Sequence, residues 1–270
     1  MATVSNRKLA VITGASSGIG FELAKQCIAN DFDVVICAED EGINEAATRL
    51  RSDGVQVYPV QQDLSTLDGC NRFCDFVRDT HRPIDALLLN AGVGQGGAFL
   101  DTPLEAELKM ISLNCIHTVA CAKNLLPDMI QNGQGKVLIT GSVVSTAPAP
   151  YEAVYGATKA FVMNFAEAIR EELKEKHISV TVLQPGPTDT NFFHRADMLD
   201  TKAGAGQKDD PAKTAADGFK AMIAGKAAVH GGSLKSKVQA AMNEVLPEPL
   251  KAKQLAKEGK PGGASKHRKH

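Results

Sequence analysis

Short apolar runs alternate with longer amphipathic stretches along most of this 270-residue chain. Runs rich in Val, Ile and Leu predict buried strands, and apolar positions spaced three and four residues apart predict the helices between them. The strands are expected near residues 8–13, 33–38, 55–61, 84–89, 134–141 and 178–184, and the helices near 18–30, 42–53, 66–80, 104–131, 153–176 and 211–224. Because strand and helix alternate, the pattern predicts a doubly wound parallel sheet with helices on both faces, a three-layer α/β/α single domain.

The composition and charge exclude several classes of protein. Hydrophobic residues make up 43% of the chain, enough to bury the core of one α/β domain, and the formal net charge is −1. A nearly neutral chain is not expected to bind nucleic acid through a basic surface. The N-terminus lacks a signal-peptide pattern and no apolar run approaches the roughly 20 residues of a membrane span, so we expect a cytoplasmic protein without an integral membrane segment.

The cysteines and histidines show no spacing typical of a metal site. The six cysteines fall mostly within apolar helix or strand patterns, which favours buried, reduced thiols. Four histidines are interpreted as surface or structural residues: His117, His177, His194 and His230. No metal is therefore expected in the protein.

Three glycines, Gly14, Gly18 and Gly20, follow the first expected strand directly. Gly14 permits a tight turn, Gly18 lets the backbone approach a ligand, and Gly20 lets the following helix pack against the strand. The N-terminus of that helix offers unpaired N–H groups and a partial positive charge to a phosphate. A dinucleotide-binding Rossmann fold begins in this way, although a glycine-rich turn without a ligand fits the same pattern when it is taken alone.

An acidic residue about 20 positions after the glycine turn accepts hydrogen bonds from the adenosine ribose in such folds. Glu39 follows the second expected strand and is itself followed by Asp40 and Glu41. Three successive carboxylates would repel a ribose 2′-phosphate, so NAD(H) is favoured as the cofactor and NADP(H) is the alternative. Asp40 and Glu41 are equally consistent with capping the next helix.

Polar residues also follow the third and fourth expected strands. Asp63 and Leu64 come after the third strand, and Asn90, Ala91 and Gly92 come after the fourth. The carboxyl ends of parallel strands lie along one edge of the sheet, where doubly wound folds bind their ligands. We therefore expect these residues to form a wall of the cofactor site.

Tyr155 and Lys159 lie one helical turn apart on the same face of an expected helix, and Ser142 ends the strand before it. Taken singly, each of these residues has an ordinary structural interpretation. Taken with the glycine turn, Asp63, the Asn90–Gly92 motif, Asn114 and the pair Pro185-Gly186, they form an ordered set of motifs. This set resembles the classical short-chain dehydrogenase/reductase family over about residues 7–190.

The resemblance implies a role for each residue of the set. Tyr155 would be the general acid/base, Ser142 would hold the substrate oxygen, and Asn114 would hold a water in the proton path. Lys159 would bind the nicotinamide ribose and lower the pKa of Tyr155; one ammonium about 4 Å away, in an effective dielectric of about 20, supplies the roughly 4 kcal/mol needed. The expected cofactor-binding residues are Gly14, Ser16, Ser17, Gly18, Ile19, Gly20, Glu39, Asp63, Leu64, Asn90, Ala91, Gly92, Tyr155, Lys159, Pro185, Gly186, Thr188 and Thr190.

The substrate is expected above the carboxyl edge of the sheet, where the residues of the neighbouring loops are mainly apolar. Such a lining favours a neutral or partly apolar secondary alcohol or ketone. The expected substrate-contacting residues are Gln95, Ser142, Val144, Tyr151, Phe192 and Phe193. Phe192 and Phe193 are also consistent with anchoring a lid that excludes water.

The sequence therefore predicts an oxidoreductase that interconverts a secondary alcohol and a ketone by hydride transfer with NAD(P)(H). A dinucleotide-binding epimerase or dehydratase is one alternative, against which the shortness of the chain after residue 190 argues. A second alternative is an NAD-sensing binding protein without turnover, because a fold alone does not establish chemistry.

The end of the chain differs in composition from the rest. Residues 1–250 are assigned to one Rossmann-fold domain, with a substrate loop at about 187–225 and an amphipathic helix at about 233–246. Residues 251–270 are rich in Lys and Arg, with Glu258 as the single acid, which predicts a disordered basic tail; contact with an acidic partner or a membrane surface is the alternative. The long helices at 104–131 and 153–176 are suited to pairing subunits, so we expect a homodimer or homotetramer.

Overall fold

The computed structural model of the protein describes residues 6–233, 236 and 247–264. Seven parallel strands form one sheet: β1 Lys8–Thr13, β2 Phe32–Ala38, β3 Val57–Gln61, β4 Ala86–Leu89, β5 Gly135–Thr140, β6 Ile178–Pro185 and β7 Ala228–Gly231. Their order in the sheet is β3-β2-β1-β4-β5-β6-β7, so the strand order reverses between β1 and β4. In such sheets a ligand crevice opens at the reversal, beyond the carboxyl ends of the strands.

The helices cover both faces of this sheet. Their bounds are α1 Gly18–Ala29, α2 Gly42–Leu50, α3 Leu67–Asp79, α4 Leu104–Ile111, α5 His117–Gln131, α6 Ala153–Glu172, α7 Phe192–Arg195, α8 Lys202–Ala205, α9 Pro211–Ile223 and α10 Glu248–Gly259. A π-helical turn, Ser112–Ile116, joins α4 to α5, and 3-10 turns cover Val143–Thr146 and Lys174–Lys176. The expected substrate loop at about 187–225 contains α7, α8 and α9.

Two apolar layers, one on each face of the sheet, form the core. Alternate residues of a strand point to opposite faces, so Leu9 and Val11 join the layer under α3, α5 and α6, whereas Ala10 and Ile12 join the layer under α1, α2 and α9. Every residue of β2 is buried, as expected for a strand covered on both faces. The predicted doubly wound three-layer fold is confirmed.

The tail expected to be disordered differs from what the structure shows. Residues 251–259 belong to α10, where Leu255 packs against the apolar cluster around Tyr155 and Glu258 forms a 3.3 Å ion pair with Lys202 of α8. The basic composition did not indicate this helix, because its lysines are solvated while a few other residues make its contacts with the rest of the protein. The helix expected at about 233–246 lies outside the described residues except for positions 233 and 236, and residues 265–270 also lie outside them.

All six cysteines are free, and five of them are buried. Burial raises the pKa of the Cys27 and Cys37 thiols, which keeps both in the unreactive thiol form near neutral pH. Within the described ranges, no cluster of His, Cys, Asp and Glu side chains is arranged to hold a metal ion. In the same part of the chain, no helix combines the length and hydropathy that crossing a bilayer requires.

His117 is a buried, uncharged histidine at the start of α5. Its side chain is inaccessible to solvent, and its Nδ1 lies 3.1 Å from the carbonyl oxygen of Leu113. Burial lowers its pKa to about 4, because the imidazolium would lose its hydration in the core. This placement gives His117 a structural role and makes the fold sensitive to acid.

We expect acid to destabilise the protein through His117. In the unfolded chain the imidazole takes a proton near its ordinary pKa of about 6.5, whereas the buried imidazole stays neutral down to about pH 4. The stabilisation is therefore complete above about pH 6.5 and is lost as the pH falls, with a loss of about 2 kcal/mol at about pH 5. Denaturant titrations near pH 7.5 and pH 5 test this by comparison with His117→Leu, which cannot titrate. Equal losses of unfolding free energy in the two proteins would contradict the prediction.

Candidate active site

A cavity of about 620 Å³ opens at the carboxyl edge of the sheet. One end is formed by the turns after β1 to β4, and the other by the segment after β5 and the start of α6. All of the residues expected to bind the cofactor line this cavity, from Gly14 in the first turn to Thr190 after β6. Ser142, Val144, Phe192 and Phe193 from the expected substrate set line it as well.

The glycine turn after β1 has the shape that a pyrophosphate needs. Gly14 and Gly18 have φ values of +67° and +57°, in the left-handed region that favours glycine. A Cβ atom on Gly20 would lie 2.1 Å from the carbonyl oxygen of Gly14, so α1 and the turn pack this closely only with glycine there. The Ser17 side chain does not cap α1, and the first turn holds no acid. The N–H groups at this helix end are thus left for an anion, which fits a dinucleotide.

Carboxylates dominate the other side of this turn, where the adenosine of a dinucleotide would lie. Glu39 follows β2, and its carboxylate is 3.2 Å from the Lys109 ammonium; the Ser16 hydroxyl donates to Asp40 at 3.1 Å. Hydrogen bonds from Ser65 hold the pKa of Asp63 below its ordinary value, so this side chain is ionised near neutral pH. The one lysine in these contacts is already paired with an acid.

Ser142, Tyr155 and Lys159 come together at the inner end of the cavity, as the sequence predicts. All three side chains are buried. The Lys159 ammonium donates a 2.9 Å hydrogen bond to the carbonyl oxygen of Thr140 and lies 5.8 Å from the centre of the Tyr155 ring. The Ser142 hydroxyl lies near enough to the Tyr155 phenol to act against the rise in its pKa. A phenol, a hydroxyl and an ammonium therefore share one pocket end, which is what proton exchange with a bound oxygen requires.

The resemblance implies that Lys159 lowers the pKa of Tyr155, but in the structure this pKa is raised. Burial raises the pKa of Tyr155, the hydrogen bond with Ser142 opposes this rise, and the charge of Glu152 adds to it. Burial also lowers the pKa of Lys159 to about 8. Desolvation of the phenolate outweighs an ammonium that lies beside the ring and is bound to a carbonyl. In the protein alone Tyr155 is a protonated phenol, ready to donate to a carbonyl oxygen.

Asn114 lies one layer behind the cavity wall, in the π-helical turn between α4 and α5. Its Nδ2 donates to the carbonyl oxygen of Val93 at 3.0 Å and to the Thr158 hydroxyl at 2.9 Å, and its Oδ1 accepts from the Val93 N–H at 3.0 Å. Both donors of its side chain are thus used within the protein, so a water in the proton path would donate a hydrogen bond to an oxygen of Asn114. Asn114 joins the loop after β4 to α6.

Gln95 and Tyr151, two of the expected substrate contacts, are absent from the cavity lining formed by the described residues. The Gln95 side chain donates to the carbonyl oxygen of Gly96 at 3.0 Å, within its own loop. Tyr151 has a φ of +66°, and its carbonyl accepts a 2.9 Å hydrogen bond from the N–H of Gly97. The Gln95 side chain is therefore held within its own loop, and the Tyr151 backbone is tied to the loop at Gly97.

Several residues of the cavity wall were missed from the sequence. Glu152 lies three residues before Tyr155, a spacing that already places the two on adjacent positions of one helix face. A further group lies in α8 and α10, whose polar composition gave no sign of a pocket wall. These residues are Lys202, Ala203, Gln254, Leu255 and Glu258.

Comparison with known proteins identifies the family to which the chain belongs. A family model described as short chain dehydrogenase matches residues 8–199, which include the glycine turn, Ser142, Tyr155 and Lys159. The chain belongs to this family. The resemblance found in the sequence motifs is thereby confirmed, and α8 and α10 lie beyond the part of the chain that the short-chain dehydrogenase model matches.

Curated short-chain dehydrogenase relatives match the same region. The Dehydrogenase/reductase SDR family member 7B of Xenopus laevis is 32% identical over 189 residues, which cover 67% of this chain and 58% of that protein. The protein of the same name from Bos taurus is 32% identical over 197 residues, covering 70% of this chain and 61% of that protein. The chain thus spans about three fifths of the length of the curated relatives that it matches.

Solved short-chain dehydrogenases share the fold. A short-chain dehydrogenase from Sphingobium yanoikuyae in complex with NADPH has a TM-score of 0.77 and 29% identity, covering 83% of this chain and 87% of that one. A short-chain dehydrogenase/reductase from Burkholderia phymatum in complex with NAD has a TM-score of 0.78 at 22% identity, covering 84% and 89%, and shows the fold alone. These similarities place the chain among the oxidoreductases of the short-chain dehydrogenase family.

Proposed function

We propose that the protein interconverts a secondary alcohol and a ketone with NAD(H), with Tyr155 exchanging a proton with the substrate oxygen. The observation that carries this proposal is the placement of Ser142, Tyr155 and Lys159 at one end of a cavity whose other end is the glycine turn. A nicotinamide dinucleotide bound in this cavity would supply the acceptance and donation of hydride. The protein supplies the proton and the alignment of the carbinol carbon.

The protonation states of the buried residues suit this chemistry. In ketone reduction, the neutral phenol of Tyr155 donates its proton to the carbonyl oxygen, while the Ser142 hydroxyl holds that oxygen. The phenolate that results is stabilised by the Ser142 hydroxyl and by the nearby ammonium of Lys159. Because the pKa of Lys159 is about 8, that ammonium persists at neutral pH and becomes neutral as the pH rises above this value.

The adenosine end of the cavity supports a preference for NAD(H) over NADP(H). Glu39, Asp40 and Asp63 all line this end, and Lys109, which contacts Glu39, is engaged in an ion pair. A ribose 2′-phosphate placed there would face carboxylates without a free cation in the contacts described above. The ribose hydroxyls of NAD(H) would instead donate hydrogen bonds to the Glu39 carboxylate.

A screen of secondary alcohols and ketones tests the proposed reaction. We expect the absorbance of reduced nicotinamide to rise with NAD⁺ and at least one alcohol, or to fall with NADH and at least one ketone. NADH binding without any absorbance change across the panel would contradict the proposal and would favour a sensing protein. Isomerised product without net change in NADH, detected by chiral chromatography, would favour an epimerase.

The expected homodimer or homotetramer is supported by the surface of α4 and α6. Leu108 and Ile111 on α4 and Phe161 on α6 are large apolar side chains exposed to solvent. Apolar surface of this kind favours burial between subunits. The cytoplasmic location stays a prediction.

A further inference from the structure

We propose that Glu152 determines substrate specificity by accepting a hydrogen bond from a donor group, an ammonium or a hydroxyl, carried by the alcohol or ketone. The proposal rests on the proposed function, because it names the substrate class of the same site. It stands on the position of an unpartnered carboxylate in the cavity wall, one helical turn before Tyr155.

The Glu152 side chain does not cap the helix that begins next to it. Glu152 is the N-cap residue of α6, where acidic side chains ordinarily accept hydrogen bonds from the N–H groups of the first helical turn. Its side chain makes no such bond. Oε1 instead lies 3.3 Å from where a Cβ atom on Gly259 would stand, beneath the C-terminal end of α10. The carboxylate thus lies partly buried beside the end of α10, at the cavity wall.

Among the described residues, the Glu152 carboxylate has neither a hydrogen-bond partner nor an ion-pair partner. Burial alone raises its pKa to about 7. Apart from Glu152 and the acids of the adenosine end, the charged residues that line the cavity are Lys159, Arg195, Lys202, Asp209 and Glu258. Lys159 is bound to a carbonyl and Lys202 to Glu258, so these two cations are engaged elsewhere.

An enclosed carboxylate without a donor destabilises the site, and a ligand that brings a donor offsets that cost. An ammonium or hydroxyl on the substrate, placed beyond the carbinol carbon, would supply it. The same contact has a consequence for Tyr155, whose pKa is raised by the charge of Glu152. A cation against Glu152 screens this charge and favours the phenolate that alcohol oxidation needs.

Three matched alcohols test the proposal: 1-phenylethanols that carry an aminomethyl, a hydroxymethyl or an ethyl group at the para position. We expect kcat/KM of the wild type to be at least about tenfold higher for the aminomethyl alcohol than for the ethyl alcohol. A preference shared by the hydroxymethyl alcohol identifies a general donor site, and a preference limited to the aminomethyl alcohol identifies a cation site. A wild type that prefers the ethyl alcohol overturns the proposal.

Glu152→Gln removes the charge with little change in shape and is expected to bring the ratio of the aminomethyl to the ethyl alcohol close to one. Glu152→Asp is expected to keep the preference. Glu167→Gln, the same change at an exposed position of α6, is the control and should behave as the wild type. An unchanged ratio in Glu152→Gln, or an equal loss of activity on all three alcohols, overturns the proposal.

Binding to the wild type separates this inference from the proposed reaction. The corresponding aminomethyl and ethyl acetophenones are titrated by calorimetry with NADH present, so no variant and no turnover are needed. We expect tighter binding of the aminomethyl ketone above about pH 7 and loss of the difference below it, as Glu152 takes a proton. Equal affinities at both pH values overturn the inference even if alcohols are oxidised, and unequal affinities sustain it even if they are not.

Discussion

Tyr155→Phe is expected to lower kcat by about 10³-fold, because the substrate oxygen then loses its proton donor and acceptor. The aromatic ring, which lies 5.3 Å from the ring of Phe192, keeps its packing in this variant. Binding of NADH is therefore expected to stay close to that of the wild type. Steady-state rates with an alcohol found in the screen, together with NADH titrations followed by fluorescence, measure the two quantities separately.

Tyr58→Phe is the matched control for this experiment. Tyr58 lies on β3, and its hydroxyl donates a hydrogen bond to the Gln56 side chain, outside the cavity lining that the described residues form. Like Tyr155→Phe, this variant loses one tyrosine hydroxyl oxygen, but its kcat is expected to stay close to that of the wild type. Full activity in Tyr155→Phe would show that the proton moves through another group and would end the proposed mechanism.

Glu39→Arg is expected to change the ratio of NADH to NADPH affinity by about 10²-fold or more in favour of NADPH. The wild type should bind NADH more tightly, because the carboxylate of Glu39 repels a 2′-phosphate and accepts hydrogen bonds from the ribose hydroxyls. An arginine at this position replaces that repulsion with a bidentate attraction and releases Lys109 from its ion pair.

This ratio is obtained from the affinities of NADH and NADPH, measured by fluorescence titration at one ionic strength. Glu167→Arg makes the same change of charge at an exposed position on α6 and should leave the ratio unchanged. A wild type that prefers NADPH would show that the carboxylates do not govern cofactor choice.

The sequence was sufficient for the features that depend on local rules. Buried strands and amphipathic helices each produce a characteristic spacing of apolar residues in the sequence. The strand bounds predicted from this spacing lie within a few residues of those observed. The left-handed turns at Gly14 and Gly18 admit few other residues, so these glycines marked the site. Tyr155 and Lys159 were placed on one face by helix geometry alone.

Features that depend on tertiary burial were beyond the sequence. The π-helical turn around Asn114 interrupts a run that reads as one helix, because the hydrophobic pattern of α4 and α5 continues through it. The pKa of Tyr155 follows from the depth of the pocket, and pairwise Coulomb reasoning from Lys159 omits the cost of removing water from the phenolate. The contacts of Glu152 depend on α10, about a hundred residues further along the chain.

Helix α10 lies outside the part of the chain that the short-chain dehydrogenase model matches. The segment that carries the glycine turn and the proton-transferring residues is the segment shared with other family members, residues 8–199. Helices α8 and α10, which come after that segment, add Lys202, Leu255 and Glu258 to the cavity wall. The space beside Tyr155 is therefore enclosed jointly by Glu152, from within residues 8–199, and by side chains from a part of the chain that the family model leaves unmatched.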